Sequence, residues 1–280
     1  MTTEQRETNE ERNARTGRLL AIDTSTAALT VALASGGRIV AERSSRAERN
    51  HSIKLLPEIE AMLKEAGVAP SDLDAVAVGT GPGSYTGVRI GVTVAKTFAW
   101  SLGIPVVGVS GLEALALGDA ERNATEGADT SASRWFVPLL DARRGQAFCG
   151  VYASERDGWR TIEPDGIRLA ADWLEELSAK AESGRRDGRG PDRIAFVGET
   201  AGFGDTIRAW LARHPELAGA ADVREGEIRA AQIAELAWRR LDRGEHDDPH
   251  GIVPNYTQLA EAEVKLLQKE QRGGEPFGAC

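Results

Sequence analysis

The stretch "RLLAIDTSTAALTVALASGGRIVAER" (Arg18–Arg43) contains three β-type runs, RLLAID, LTVALA and RIVAER, separated by short turns. Ser35, Gly36 and Gly37 make the second turn, where glycine takes the positive φ that a tight hairpin needs. The pattern predicts a three-stranded antiparallel meander. In "SIKLLPEIEAMLKEAGV" (Ser52–Val68), Leu55, Leu56, Ile59, Leu63 and Ala66 recur at helical spacing, and Gly67 stops the helix. "DAVAVG" (Asp74–Gly79) and "IPVVGVS" (Ile104–Ser110) are short apolar runs suited to strands covered on both faces. Between them, "GTGPGSYTGVRIGVTVAKTFAW" (Gly79–Trp100) is a glycine-rich loop feeding a helix, and "LEALALGDA" (Leu112–Ala120) reads as a further helix. Strand-strand-strand-helix-strand-helix-strand-helix is the ribonuclease H-like α/β order, in which a hairpin set continues into parallel strands through crossover helices.

A polar linker, Gly118 to Arg134, leads into a second half. There "WFVPLLDARRGQAFCGVY" (Trp135–Tyr152) predicts a hairpin turning at Asp141–Gly145. "ADWLEELSAKAE", "TIRAWLARH" and "EIRAAQIAELAWRRLDR" read as helices, "RIAFVG" as a strand and "ESGRRDGRGPD" as a loop. The expectation is two related lobes with a cleft between them. Residues 1–17 form a disordered extension, 18–118 the first, partner-docking lobe, and 119–252 the second. Residues 253–280 make a C-terminal element and loose tail that can return to the first lobe.

The chain has 280 residues and a formal charge of −9, from 34 basic and 43 acidic side chains. That excludes gripping nucleic acid by overall charge, which needs clustered Lys and Arg. Residues 1–17 have no apolar run and carry acids, unlike a signal or transit peptide. No run is long enough to span a bilayer. Two distant cysteines, Cys149 and Cys280, give no disulfide framework. A cytoplasmic protein is expected.

The glycine loop Gly81-Pro82-Gly83-Ser84-Tyr85-Thr86-Gly87 lacks the lysine of a Walker phosphate loop; its first following cation is Arg89. Ser84 is not in a Gly-x-Ser-x-Gly nucleophile elbow, and none of His51, His214, His246 or His250 sits where a base is expected. Ser84 and Thr86 therefore read as helix-capping or loop hydroxyls. Gly87, Gly91, Ala95 and Ala99 recur every four residues and make a ridge with almost no side chain. Such a ridge admits another backbone closely, either the chain's own sheet or a partner helix. Asp23, Thr24 and Ser25, at the end of the first run, occupy the place of a metal-binding aspartate in a nuclease or of a first phosphate loop in an ATP-binding fold. The nuclease lacks further carboxylates, and the matching second turn, "DARRGQ", offers Arg143 and Arg144 where an ATP site favours glycine.

"LLAIDTSTAALTVAL", "RNHSIKLLPEIEAML", "VGTGPGSYTGVRIGVTVAKTFAWSLGIPVVGVSGLEAL", "LLDARRGQAFCGVY" and "VPNYTQ" together resemble the TsaB (YeaZ) family, most closely over Arg18–Leu117. The resemblance implies two lobes of the actin/sugar-kinase/chaperone (ASKHA) superfamily, each a mixed sheet flanked by helices. It implies a non-catalytic subunit that docks on a TsaD-like catalytic paralogue for N6-threonylcarbamoylation of a tRNA adenosine beside the anticodon. It also implies a TsaE-like ATPase as third partner, self-pairing as a homodimer, and tRNA only as substrate of the complex. TsaD carries a metal-binding His-x-x-x-His pair where this chain has Gly111 and Leu115, so neither metal nor cofactor is expected, with ATP or ADP expected at most at the complex. The interface expected from the resemblance is Gly87, Val88, Arg89, Gly91, Val92, Ala95, Phe98 and Ala99. Asp23, Thr24 and Ser25 become a vestigial phosphate loop, and His51 a capping or packing residue. Arg134, Arg143, Arg144, Arg185, Arg186 and Arg189 are either a basic patch near tRNA or solvated surface charges. An ATP-dependent ASKHA kinase or hydrolase, or a peptidase, are the alternative functions.

Overall fold

The computed structural model describes residues 17–46, 50–127, 132–155 and 158–257. The first sheet contains β1 (Arg18–Asp23), β2 (Ala28–Ser35), β3 (Arg38–Arg46), β4 (Ala75–Gly79) and β5 (Val106–Val109), in the order β3-β2-β1-β4-β5. β1 pairs antiparallel with β2 and parallel with β4, as the meander-plus-crossover pattern requires. The second sheet contains β6 (Arg134–Arg143), β7 (Gln146–Glu155), β8 (Gly158–Leu169), β9 (Arg193–Gly198) and β10 (Ala221–Glu225). Its order, β10-β9-β6-β7-β8, repeats that of the first with the same pattern of parallel and antiparallel pairs. The two lobes are thus ribonuclease H-like units of the ASKHA type.

Alternation along the strands assigns the layers. Leu20 and Ile22, Val31 and Leu33, and Val76 and Val78 turn outward onto α1 (His51–Glu65) and α2 (Tyr85–Leu102). The alternate residues Leu19, Ala21, Ala32, Ala34, Ala75 and Ala77 face inward, and most are alanine. That small-residue face admits α7 (Ala230–Leu241), which brings Ala230, Ala234 and Ala237 against it beside α3 (Gly111–Thr125). Helices α3 and α7 therefore lie between the two sheets. Behind the second sheet, α4 (Ala170–Arg186) and α5 (Gly204–Arg213) cover Trp135, Val137, Cys149 and Phe196, with Trp173 and Trp210 fully buried. A short helix, α6 (Pro215–Ala218), follows.

Several expectations need revision. Residues 118–125 of the supposed linker are the last turns of α3, whose Ser110 N-cap accepts the Glu113 N–H at 3.0 Å. The loop expected from Glu182 begins later, because α4 continues to Arg186. β8 and β10 were not expected at all. Residues 128–131 of the linker, the N-terminal extension up to residue 16 and the tail from residue 258 lie outside the described residues. Among the described residues no helix is long and apolar enough to cross a membrane.

Candidate functional site

The two equivalent hairpins, β1–β2 and β6–β7, face one cleft of about 1000 Å³. Ser25, Thr26, His51, Ser84, Tyr85, Arg143, Arg144 and Glu199 are among the residues lining it, and the C-terminal segment Pro254–Thr257 forms one rim. That segment is tied to the first lobe by Asn255 N–H donating to the Thr80 carbonyl at 2.8 Å and by the Tyr256 and Tyr85 rings, 5.5 Å apart.

The first turn is closed upon itself. Asp23 is fully buried; its carboxylate accepts the Ser25 N–H at 3.0 Å and the Ser25 O–H at 2.9 Å. Burial raises its pKa from 3.8 to about 6, partly offset by these two bonds. Gly79, at the end of β4, is required there, since a Cβ would overlap Asp23 Oδ2. Thr24 Oγ1 donates to the Gly87 carbonyl at 2.7 Å, and the Ser25 carbonyl accepts the Ser84 N–H at 2.7 Å. Asp23, Thr24 and Ser25 thus spend their polar groups locking the glycine loop to the first strand. They do not present a set of donors to the cleft.

Ser84 caps α2: its Oγ accepts the Gly87 N–H at 3.3 Å. His51 and Ser84 line the same cleft, but no hydrogen bond joins them. Cys149 is fully buried and its thiol is pushed up to about 11, chiefly by desolvation. In a Cys280→Ser variant, an aromatic disulfide reagent at pH 8 should therefore find no reactive thiol until denaturant is added. Prompt labelling of the native protein would contradict this burial. Among the described residues no three His, Cys, Asp or Glu side chains are grouped as metal ligands.

The expected interface residues fall into two sets. Gly87, Val88, Gly91, Val92, Ala95 and Ala99 are buried within the chain. Gly87 lies against the Thr24 carbonyl, and Gly91 against Thr24 Oγ1, Val78 and Ile22. The ridge lies against the protein's own first sheet and turn. Arg89 is exposed and donates to Tyr85 Oη at 2.7 Å; Phe98 is half-buried. The exposed apolar side chains are Trp100 at the end of α2 (69% exposed) and Ile53 (71%) and Leu56 (53%) on α1, while Ile90, Val94 and the expected Phe98 are half-buried along one edge of α2.

The arginines do not form one patch. Arg134 is buried, donates to Asn123 Oδ1 at 2.7 Å and lies 3.6 Å from Asp222, so it is a structural brace and not a surface charge. Arg185 and Arg189 line a separate depression near Ser133 and Glu155, and Arg186 pairs with Glu182 on its own helix. Only Arg143 and Arg144 reach the cleft.

A duplicated five-stranded sheet with a cleft between matching hairpins defines a two-lobed ASKHA-type protein. Residues 38–266 match the family model described as "TsaD: tRNA N6-adenosine threonylcarbamoyltransferase". The chain is 36% identical to the tRNA threonylcarbamoyladenosine biosynthesis protein TsaB of Bacillus subtilis, over 90% of this chain and 99% of the relative. It is 35% identical to the Escherichia coli protein of the same name, over 58% of this chain and 68% of the relative. The solved structure of YeaZ from Pseudomonas aeruginosa superposes with a TM-score of 0.60 at 25% identity, covering 86% of this chain and 99% of that one. The chain belongs to the TsaB (YeaZ) family, whose named members serve tRNA threonylcarbamoyladenosine biosynthesis.

Proposed function

We propose that this chain is the non-catalytic subunit of a cytoplasmic tRNA threonylcarbamoyltransferase and docks on a TsaD-type catalytic paralogue through the outer layer formed by α1 and α2. The observation that carries the docking is apolar exposure on that layer. Ile53 and Leu56 are solvent-facing on α1, and Ile90, Val94 and Phe98 form a half-buried edge on α2. Exposed apolar side chains of this kind are what the core of a protein interface uses. The non-catalytic reading is supported at the positions matching the TsaD histidines. Gly111 is buried, with Ile228 Cδ1 only 2.9 Å from where a Cβ would stand, and Leu115 is buried in the core between the sheets. Neither residue has a metal-binding atom. The catalytic paralogue supplies the reacting groups, and this subunit supplies the surface that completes the assembly. A TsaE-like ATPase, a homodimer through the same layer, and ATP or ADP at the assembled complex belong to this reading.

The test is light scattering after size exclusion, on the chain alone and mixed with the TsaD-type paralogue of its own organism. Ile53→Glu/Leu56→Glu places two charges on side chains that are already exposed, so folding is retained. The wild type should form a defined heterodimer, and the variant should weaken it by at least about 30-fold, the effect of losing a contact of roughly 2 kcal/mol. A heterodimer unaffected by the variant would move the interface elsewhere. Threonylcarbamoyl transfer by the chain without its paralogue would end the non-catalytic reading.

A further inference from the structure

A polar cluster outside the cleft lining lies where the start of α3 meets the edge of the second sheet. Ser110 is anchored in the first lobe: it follows β5 directly, and the next residue, Gly111, donates its N–H to the Gly81 carbonyl of the glycine loop at 2.9 Å. Asp165 comes from the second lobe and reaches Ser110 from a β-bulge. Between the pairs Cys149–Gly166 and Val151–Glu163, β8 places Pro164 and Asp165 against the single residue Gly150. Such a bulge re-aims a side chain at a sheet edge. Gly150 keeps the space in front of it, since a Cβ there would stand 3.3 Å from Asp165 Oδ1.

Hydrogen bonds cross this seam between the lobes. Ser110 Oγ accepts the Glu113 N–H at 3.0 Å and donates to Asp165 Oδ2 at 2.6 Å, and Tyr152 Oη donates to Asp165 Oδ1. Within the first turn of α3, Glu113 Oε1 accepts the Trp159 Nε1–H at 3.0 Å, and the Trp159 ring stacks on Tyr152 at 6.0 Å. Two half-buried carboxylates thus rely on neutral donors. Among the described residues neither forms an ion pair: the nearby cations Arg168, Arg239 and Arg243 pair with Glu163, Glu235 and Glu245, and Lys180 also holds Glu163. Burial raises the pKa of Asp165 and of Glu113 against the opposing pull of their hydrogen bonds and these arginines, and Asp165 raises Glu113 further. Burial and Asp165 push Tyr152 up as well, so its phenol stays a donor.

We propose that Asp165 and Glu113 make this seam a proton-dependent latch between the lobes, tight in mild acid and looser as pH rises. Parting α3 from the β8 edge admits water and returns both carboxylates to their ordinary hold on protons. Parting is therefore coupled to proton release, and rising pH favours it. A loosened latch frees the β8 bulge from Ser110, and with it the second lobe's grip on the start of α3 and on the glycine loop bonded there.

The test is amide hydrogen exchange on the full chain alone at pH 5 and pH 8, each rate divided by that of an unstructured amide at the same pH. Protection of residues 110–114 and 159–169 should fall at least about 5-fold from the lower to the higher pH. Glu113→Gln/Asp165→Asn keeps the size of each side chain and an acceptor oxygen, and should remove the pH dependence. Asp23→Asn deletes a different raised carboxylate and should leave that dependence in place, because local parting is distinct from global unfolding. Equal wild-type protection at the two pH values overturns the proposal without any variant. A pH dependence that survives in the double variant, or disappears in Asp23→Asn, overturns it too.

Discussion

Gly87→Ala should lower the unfolding free energy by roughly 3 kcal/mol, the upper part of the range for overpacking a tight site. For a chain of this size that is a fall in Tm of roughly 6–12 °C. The reason lies in what the added methyl meets. A Cβ on Gly87 overlaps the Thr24 carbonyl oxygen, with the Ser84 side chain 3.3 Å away. A flexible side chain would swing aside, but this neighbour is backbone, and Thr24 is also held by its hydroxyl on the Gly87 carbonyl. The whole first turn would have to shift, and Asp23, Ser25 and Ser84 with it. Glycine is a poorer helix former than alanine by about 1 kcal/mol, so if the site were open the substitution would stabilise. A Tm equal to or above wild type would show that the glycine loop is not packed on the first turn. For the same reason a bulky residue at Gly87 or Gly91 cannot serve as a docking test, because it would damage the fold before it reached a partner.

Asp23 gives the second large effect, and it depends on pH. Its pKa is raised from 3.8 to about 6 by burial, so the folded state holds this proton more tightly than the unfolded state. The stabilisation is fully present below about pH 4 and is lost as pH rises through about 6. Over that interval the group withdraws about 3 kcal/mol. Asp119, Glu113 and Asp165 are raised as well, while Glu163, Glu175 and Glu245 are lowered, so the total pH profile mixes both signs. The difference between wild type and Asp23→Asn isolates one group. Denaturant unfolding at pH 4 and pH 7 should show the variant gaining roughly 2.5 kcal/mol relative to wild type between the two. A difference independent of pH would mean that the carboxylate titrates normally, and hence that the first turn opens to water.

Much of the first lobe was legible because its chemistry is local. The continuous apolar runs of β1, β2 and β4 and the spacing of Leu55, Ile59 and Leu63 report burial directly. Two strands of the second sheet were hidden. β8 contains Pro164-Asp165-Gly166, a turn-like triplet, in a half-exposed edge strand with two irregularities of register. β10 is five residues long and alternates poorly. The glycine-alanine ridge was visible, but its partner was not, because a small-residue face says that something comes close without saying what. Arg134 looked like its neighbours on the surface; only the fold brings it beside Asn123 and Asp222. The outer patch on α1 and α2 was readable in principle, since Ile53 and Leu56 lie off the helix's buried stripe at Leu55, Ile59 and Leu63. The closure of the first turn upon itself rests on hydrogen bonds that no spacing encodes.

Helix α7 closes the inner face of the first sheet, yet it comes from the far end of the chain. A ribosome therefore releases β1 to β5 well before the helix that covers their alanine face. Until residues 230–241 emerge, that face lacks the helix that packs on it, and the nascent first lobe carries an open apolar surface of the sort that chaperones hold. The order of synthesis and the order of core completion are thus opposed in this protein. Cutting the gene between the lobes would yield a first-lobe fragment that lacks one wall.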